Sequence, residues 1–199
     1  SDTIKMVFDE ANRTNTRANL LLNDFNMTDA YVEVLKRSLD AGVPITCIGL
    51  QSHQHQGYWG IEKIDQVLRR FEPLGLPIHF TENTLVSGPL IPPEIEDLND
   101  WHYDKTDWGP EYEERQKNEM CEMYTHIFEH HPQVKGFTTW DFIDGMWLNA
   151  PSGLLRTDGT CKPSYQGLDA LINGTWKTTV SAQTDDQGAF LLTGVKGSY

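Results

Sequence analysis

The stretch Leu76-Pro77-Ile78-His79-Phe80-Thr81-Glu82-Asn83 decides the fold. Gly75 and Pro77 punctuate its start. A short apolar run follows and stops abruptly at a carboxylate and an amide, after which Thr84 and Ser87-Gly88-Pro89 loosen the chain. A near-continuous apolar run bounded by turn residues marks a buried parallel strand. Sheets built from βα units keep their chemistry at the C-terminal ends of the strands. Glu82 is therefore the leading candidate for a catalytic carboxylate.

The same pattern recurs on either side. Residues 20–26 read as a short apolar strand with a polar end. Ile45–Leu50, opened by Pro44, runs into Gln51-Ser52-His53-Gln54-His55. Val134–Thr139 ends in Trp140-Asp141. Helical periodicity fills the gaps. Ile4, Val7, Phe8 and Ala11 stripe residues 1–16. An N-cap at Thr28 precedes Tyr31, Val34, Leu35 and Leu39, and Ile61, Ile64, Val67, Leu68 and Phe71 line a third helix. Residues 112–130, stopped by Pro132, and 163–172 supply two more. A long loop, rich in proline and aromatic residues, spans about 83–110.

Such alternation predicts a parallel sheet with helical cover. Four βα units make half of an eight-unit barrel, whereas an open four-stranded sheet leaves two edges to protect. The fold expected is thus α/β, half of a (β/α)8 TIM barrel over residues 1–174. Two β-rich segments after residue 174, joined by Asp185-Asp186-Gln187-Gly188, predict a β-hairpin extension over 175–199.

The formal net charge of -13 argues against nucleic acid and anionic membranes as partners. No apolar run has the length of a membrane span. The three cysteines, Cys47, Cys121 and Cys161, form no C-x-x-C pair, which argues against a disulfide framework or a cysteine zinc site. No stretch of it reads as a signal peptide. The chain opens inside a structural unit, so a secretion signal is expected upstream.

In a barrel, Asn23-Asp24, Gln51-Ser52-His53, Glu82-Asn83 and Trp140-Asp141 converge on one mouth. Each cluster alone reads as ordinary hydrogen bonding at a strand end; four together point to a site. Its mixture suits a sugar. A carboxylate stabilises or attacks an oxocarbenium-like centre, amides and imidazoles match hydroxyl groups, and Trp140 and Trp147 offer flat apolar faces. Tyr58 and Trp59 are further aromatic candidates, with loop packing as the alternative. His53-Gln54-His55 could hold a divalent ion, but Asp141 is the only evident additional ligand, so no metal and no cofactor are expected. His102, His126, His130 and His131 read as surface residues.

The segments Leu22-Asn23-Asp24-Phe25-Asn26, Gly49-Leu50-Gln51-Ser52-His53, Leu76–Glu82 and Thr138-Thr139-Trp140-Asp141 with Trp147 resemble, in order and spacing, glycoside hydrolase family 10, the endo-β-1,4-xylanases. Gly153-Leu154-Leu155 and Lys162-Pro163-Ser164-Tyr165 resemble that family's closing segment. The resemblance covers about residues 1–173 and implies strands five to eight, the C-terminal half, of a TIM barrel. It implies that Glu82 is the nucleophile of a retaining mechanism, hydrogen-bonded by His53. It further implies that Asn23 and Gln51 line the sugar site, and that Trp140 and Trp147 pack around the sugar beside the scissile bond.

The chain also departs from the family. The acid/base glutamate of a W-D-x-x-N-E motif does not occur in it, and Glu10 is a poor substitute. Asn83-Thr84 stands where the family has Leu-Asp, Phe25 replaces a common Tyr, and Gln54–Gly60 resembles a divergent branch. The expectation is therefore part of a secreted, retaining endo-β-1,4-xylanase with xylan or a related β-glycan as partner. These residues are expected to be nearly inactive alone and to pair with an N-terminal half-barrel or self-associate. The alternatives are a non-catalytic carbohydrate-binding half-barrel and a retaining glycosidase for another β-linked glycan.

Overall fold

The computed structural model describes residues 2–195. Four strands, β1 (Leu21–Asp24), β2 (Cys47–His53), β3 (Ile78–Thr84) and β4 (Val134–Thr139), pair in parallel in the order β1-β2-β3-β4. They alternate with α1 (Asp2–Thr14), α2 (Asp29–Asp40), α3 (Gly60–Phe71), α4 (Pro110–His130) and α5 (Pro163–Asp169), which continues as a π-helical turn over Ala170–Thr175. A doubly wound sheet reverses its strand order partway. Here the order never reverses, so right-handed crossovers leave the helices on one face. The result is an arc of a barrel wall.

Local chemistry places each element. The Thr28 hydroxyl caps α2 by accepting from the backbone N–H of Ala30. Gly42 and Gly75, at φ 73 and 72, end the α2 and α3 segments in the left-handed region that side chains rarely adopt. Alternate strand residues Ile48, Leu50, Ile78 and Phe80 are fully buried beneath Leu35 of α2, Ile64, Leu68 and Phe71 of α3, and Met123 of α4. Phe137 stacks on Phe80 with ring centroids 4.7 Å apart and lies 4.2 Å from Tyr124.

The opposite face of the sheet carries small and polar residues. At Gly49 an added Cβ would lie 2.5 Å from Leu21 and 2.7 Å from the Asn23 side chain; at Gly136 it would lie 2.7 Å from the His79 ring. Side chains from neighbouring strands therefore lie across these two glycines. His79 reaches Thr138 at 3.1 Å, and the Thr81 hydroxyl donates to Asn23 Oδ1 at 2.6 Å.

The loops beyond the strand C-termini rest on a buried ion pair. Lys162 is wholly buried, and its Nζ donates to Asp144 Oδ1 at 2.9 Å and to Ser87 Oγ at 2.8 Å. The Gly153 N–H donates to the same Asp144 oxygen at 2.8 Å. Burial pushes the Asp144 carboxyl up and the Lys162 ammonium down, and their mutual attraction opposes both shifts. One cation thereby ties the loop after β3 to the loop after β4.

Two expectations are corrected. Of the hairpin expected over 175–199, the turn is present: Asp185 accepts from Gly188 N–H and donates to the Ala189 carbonyl. The limbs carry no strand among the described residues, and 196–199 lie outside them. Two extended segments without a third strand or a covering helix have little to hold them as a sheet. Trp176, by contrast, stacks on Phe128 at 4.3 Å and joins the packed body. His126 and His131 are also not surface residues: His131 is buried, and both face Asp65 of α3. They sit where the end of α4 packs against α3.

Removing one partner of a buried ion pair leaves the other uncompensated. Lys162→Met is expected to lower unfolding stability by about 3–5 kcal/mol, measured as a shift of the urea midpoint at unchanged m-value.

Candidate active site

Glu82 owes its position to a register slip. Phe80 pairs with Leu50, but Glu82 pairs with Gln51, so Thr81 is an extra residue in β3. The count also slips against β4, where Phe80 pairs with Phe137 and Asn83 with Thr139. Strand side chains alternate faces. Without the slip Glu82 would share the helix-covered face of Phe80. With it, Glu82 turns to the open face and Asn83 turns to the core, where it accepts from the Ser52 hydroxyl at 2.8 Å. Bulges beside active sites re-aim side chains in this way.

On β2, His53 reaches the same face. Its Nε2 lies 2.9 Å from Glu82 Oε2 and its Nδ1 lies 3.1 Å from Thr84 Oγ1. A carboxylate only accepts, so the neutral ring carries its proton on Nε2, and the Thr84 hydroxyl donates to Nδ1. Both partners are largely enclosed, with side-chain exposure of 13% for His53 and 17% for Glu82.

Trp140 and Trp147 stand beside this pair. The Trp147 ring lies 5.0 Å and the Trp140 ring 5.8 Å from His53, and the two indoles meet edge to face at 6.2 Å. Trp147 Nε1 donates to Asn99 Oδ1 at 3.2 Å. After Trp147, Leu148 and Asn149 take left-handed backbone angles, φ 57 and 50. Tyr103 holds them there: its N–H donates to the Leu148 carbonyl, and its own carbonyl accepts from Asn149 Nδ2.

The pair and the two indoles wall a cleft of about 770 Å³, to which Gln51, Phe25 and Trp59 also contribute. The long loop adds Glu96, Asp97, Leu98 and Asn99. It is held in place by Gln56, which donates to the carbonyls of Pro92 and Ile95. A small second core of Ile91, Tyr103 and Ala150 packs beneath it.

Of the residues predicted from sequence, Glu82, His53, Gln51, Trp140 and Trp147 meet in this cleft. Asn23 lies on the same sheet face but is engaged by Thr81 and is not part of the cleft wall. Tyr58 packs against the main core, where burial and the facing Glu122 raise its pKa. Its neighbour Trp59 takes the cleft position, because consecutive residues entering a helix diverge. Asp141 is buried and accepts from the Ser152 hydroxyl, so it is not available as a ligand in the cleft. The His53 and His55 rings are 6.0 Å apart, and both His53 nitrogens are engaged by Glu82 and Thr84. An H-x-H chelate is therefore not formed. The loop residues 96–99 carried no periodicity or motif to announce them.

The model of Glycosyl hydrolase family 10 matches residues 1–170. An endo-1,4-beta-xylanase A from Xylanibacter ruminicola is 26% identical over 165 residues, covering 74% of this chain and 44% of the relative. An endo-1,4-beta-xylanase A from Cellvibrio japonicus is 30% identical over 191 residues, covering 86% of this chain and 31% of the relative. The chain thus spans less than half the length of these relatives. Among solved structures, a thermostable mutant of the xylanase Xyn10A from Cellvibrio japonicus superposes with a TM-score of 0.68 at 26% identity, covering 86% of this chain and 54% of that one. A mutant of P. fluorescens subsp. cellulosa xylanase A in complex with xylopentaose gives 0.70 at 28%, with 86% and 55% covered. The four-stranded arc is half of such a barrel.

His55 is fully buried behind Trp147, and burial, with His53 nearby, holds its pKa at about 3. An unfolded chain takes up this proton near pH ~6.5. The folded state resists protonation, so stability present above that pH is lost as pH falls towards 3. His55→Leu is expected to flatten this acid limb by up to about 1.4 kcal/mol per pH unit, read from urea unfolding at several pH values.

Proposed function

The chain belongs to glycoside hydrolase family 10, and from that membership we propose that it is the nucleophile-bearing half of a retaining endo-β-1,4-xylanase. The observation that carries this reading is the 2.9 Å contact of His53 Nε2 with Glu82 Oε2 on the wall of a tryptophan-lined cleft. His53 donates to one carboxylate oxygen and orients the group. The other oxygen is left to attack the anomeric carbon and form a covalent glycosyl-enzyme. Trp140 and Trp147 stack against the sugar beside the scissile bond, and Gln51 hydrogen-bonds its hydroxyls. Xylan is the substrate proposed, since the relatives are named as xylanases and one neighbour was solved with xylopentaose.

A retaining site needs a second carboxyl about 5–5.5 Å from the first, to protonate the leaving oxygen and then activate water. We assign that role to a residue outside these 199. Glu10 lies exposed on α1, bound to the Arg13 guanidinium at 2.6 and 2.9 Å. Asp97, at the cleft rim, is engaged in capping Asn99. The complete enzyme is proposed to be secreted; no helix among the described residues is long and apolar enough to cross a membrane.

Two measurements test the reading. The purified chain is expected to bind xylopentaose by calorimetry while hydrolysing xylan only at background, with Trp147→Ala weakening binding about tenfold, or about 1.4 kcal/mol. Turnover by the chain alone that disappears in Glu82→Gln would overturn the assignment of the second carboxyl; absence of both binding and turnover would overturn the sugar site. In the complete enzyme Glu82→Gln is expected to abolish turnover. His53→Ala there should lower kcat roughly 10- to 100-fold with little change in KM, as for losing a hydrogen bond to a charged group.

A further inference from the structure

A second cluster of polar side chains lies far from the cleft. Asp65 projects from α3, His126 from the last turns of α4, and His131 from just beyond the end of α4. Glu72 and His131 precede the first residues of β3 and β4, so the cluster sits at the N-terminal end of the strands, opposite the catalytic carboxylate. His126 Nε2 lies 2.6 Å and His131 Nε2 3.0 Å from the same oxygen, Asp65 Oδ1. The three atoms all fall within 4.8 Å of one another. His131 Nδ1 faces Glu72 Oε1 at 2.7 Å.

We propose that Asp65, His126 and His131 form a binding site for a divalent transition-metal ion, with zinc the best match, that fastens α3 to α4. Two imidazole nitrogens and one carboxylate oxygen are the ligand set that borderline metals favour over calcium or magnesium. Tetrahedral zinc with bonds of about 2.0–2.2 Å sets its ligand atoms roughly 3.3 Å apart. Asp65 Oδ1 is closer than that to both rings, at 2.6 and 3.0 Å, so the ion enters as Asp65 withdraws and the two rings close around it.

The surroundings fit the same role. Glu72 accepts the Nδ1 proton of His131, as outer carboxylates do for metal-binding histidines; the Nε2 protons that both rings donate to Asp65 are released to solvent as the ion binds, freeing the lone pairs. Arg69 occupies the other oxygen of Asp65, Oδ2, at 3.0 Å and leaves Oδ1 to the metal. Asp65 is 22% exposed, which gives the ion a path in and a water its fourth position. The five-residue spacing places His131 past the helix end, where its ring can turn back to meet that of His126 over α3. Strand N-terminal ends of such barrels serve stability rather than chemistry, so the effect expected of the metal is on unfolding, independent of the glycosidase reading.

The test titrates zinc chloride into chelator-treated protein by calorimetry and follows the melting temperature by differential scanning. One zinc per chain and a raised Tm are expected, with His126→Ala weakening binding at least 100-fold and removing the Tm shift. Glu72→Gln, which leaves all three ligands in place, should weaken binding about 10–100-fold. Cobalt(II) in place of zinc should give visible absorption that is lost in the His126→Ala protein. Absence of zinc binding in the parent, or binding and a Tm shift that persist undiminished in His126→Ala, would overturn the proposal. His126 is partly exposed, so its variant reads the site even where His131→Ala fails to fold.

Discussion

Between Phe80 and Asn83 the register of β3 slips by one residue against both of its neighbours, and the site depends on that slip. A regular strand would point Glu82 at the helices and Asn83 at the open face. The slipped strand does the reverse. It brings Glu82 opposite Gln51 and Thr84 opposite His53, which is what lets one imidazole touch both a carboxylate and a hydroxyl. An extra residue in a strand leaves backbone and side chain to be satisfied locally. Thr81 meets that need through its hydroxyl, which reaches Asn23 Oδ1 at 2.6 Å and the Leu50 carbonyl at 3.3 Å. Asn23, read from sequence as a sugar ligand, thus supports the strand that carries the carboxylate.

A second layer of constraint lies behind the cleft. The loop after β3 and the loop after β4 bring the cleft's acidic rim and its tryptophans, yet their regular structure amounts to a short 3-10 turn at Leu98–Asp100 and single bridges from Leu155 to Ile143 and Cys161. Their order comes from buried polar contacts. Lys162 binds Ser87 and Asp144; Gln116 of α4 donates to the Leu85 carbonyl at 2.7 Å; Arg115 donates to the carbonyls of Val86 and Gly88. Such contacts are directional, and a half-satisfied buried network costs more than an apolar one. They specify one loop arrangement where hydrophobic packing alone would accept several.

The βα rhythm was legible because β2 and β3 open on apolar buried positions and α2 and α3 are striped, so most of the element order followed from periodicity. The cleft was legible where chemistry sits at a strand end: Gln51, His53, Glu82 and Trp140. What periodicity cannot carry is orientation after a slip, since nothing in Phe80-Thr81-Glu82 marks the extra residue. Nor could it separate Tyr58 from Trp59, two aromatics one position apart that face opposite ways. His126 and His131 were misread because α4 is polar around much of its surface and its last turn gives no sign of the carboxylate awaiting it on α3. The tail was misread for the opposite reason. Its residues favour strands, but none of those described pairs with the sheet.

The hydrogen bond from Trp147 to Asn99 joins two loops that leave different strands. One supplies Trp147 and the other fixes its tilt, through a side chain that belongs to neither the Glu82–His53 pair nor the sheet. The setting of the indole therefore depends on both segments. A loop graft that moves residues 141–150 onto another barrel without residues 94–103 would carry the indole but not its setting. Insertions in the longer loop would reshape the cleft without altering either Glu82 or His53.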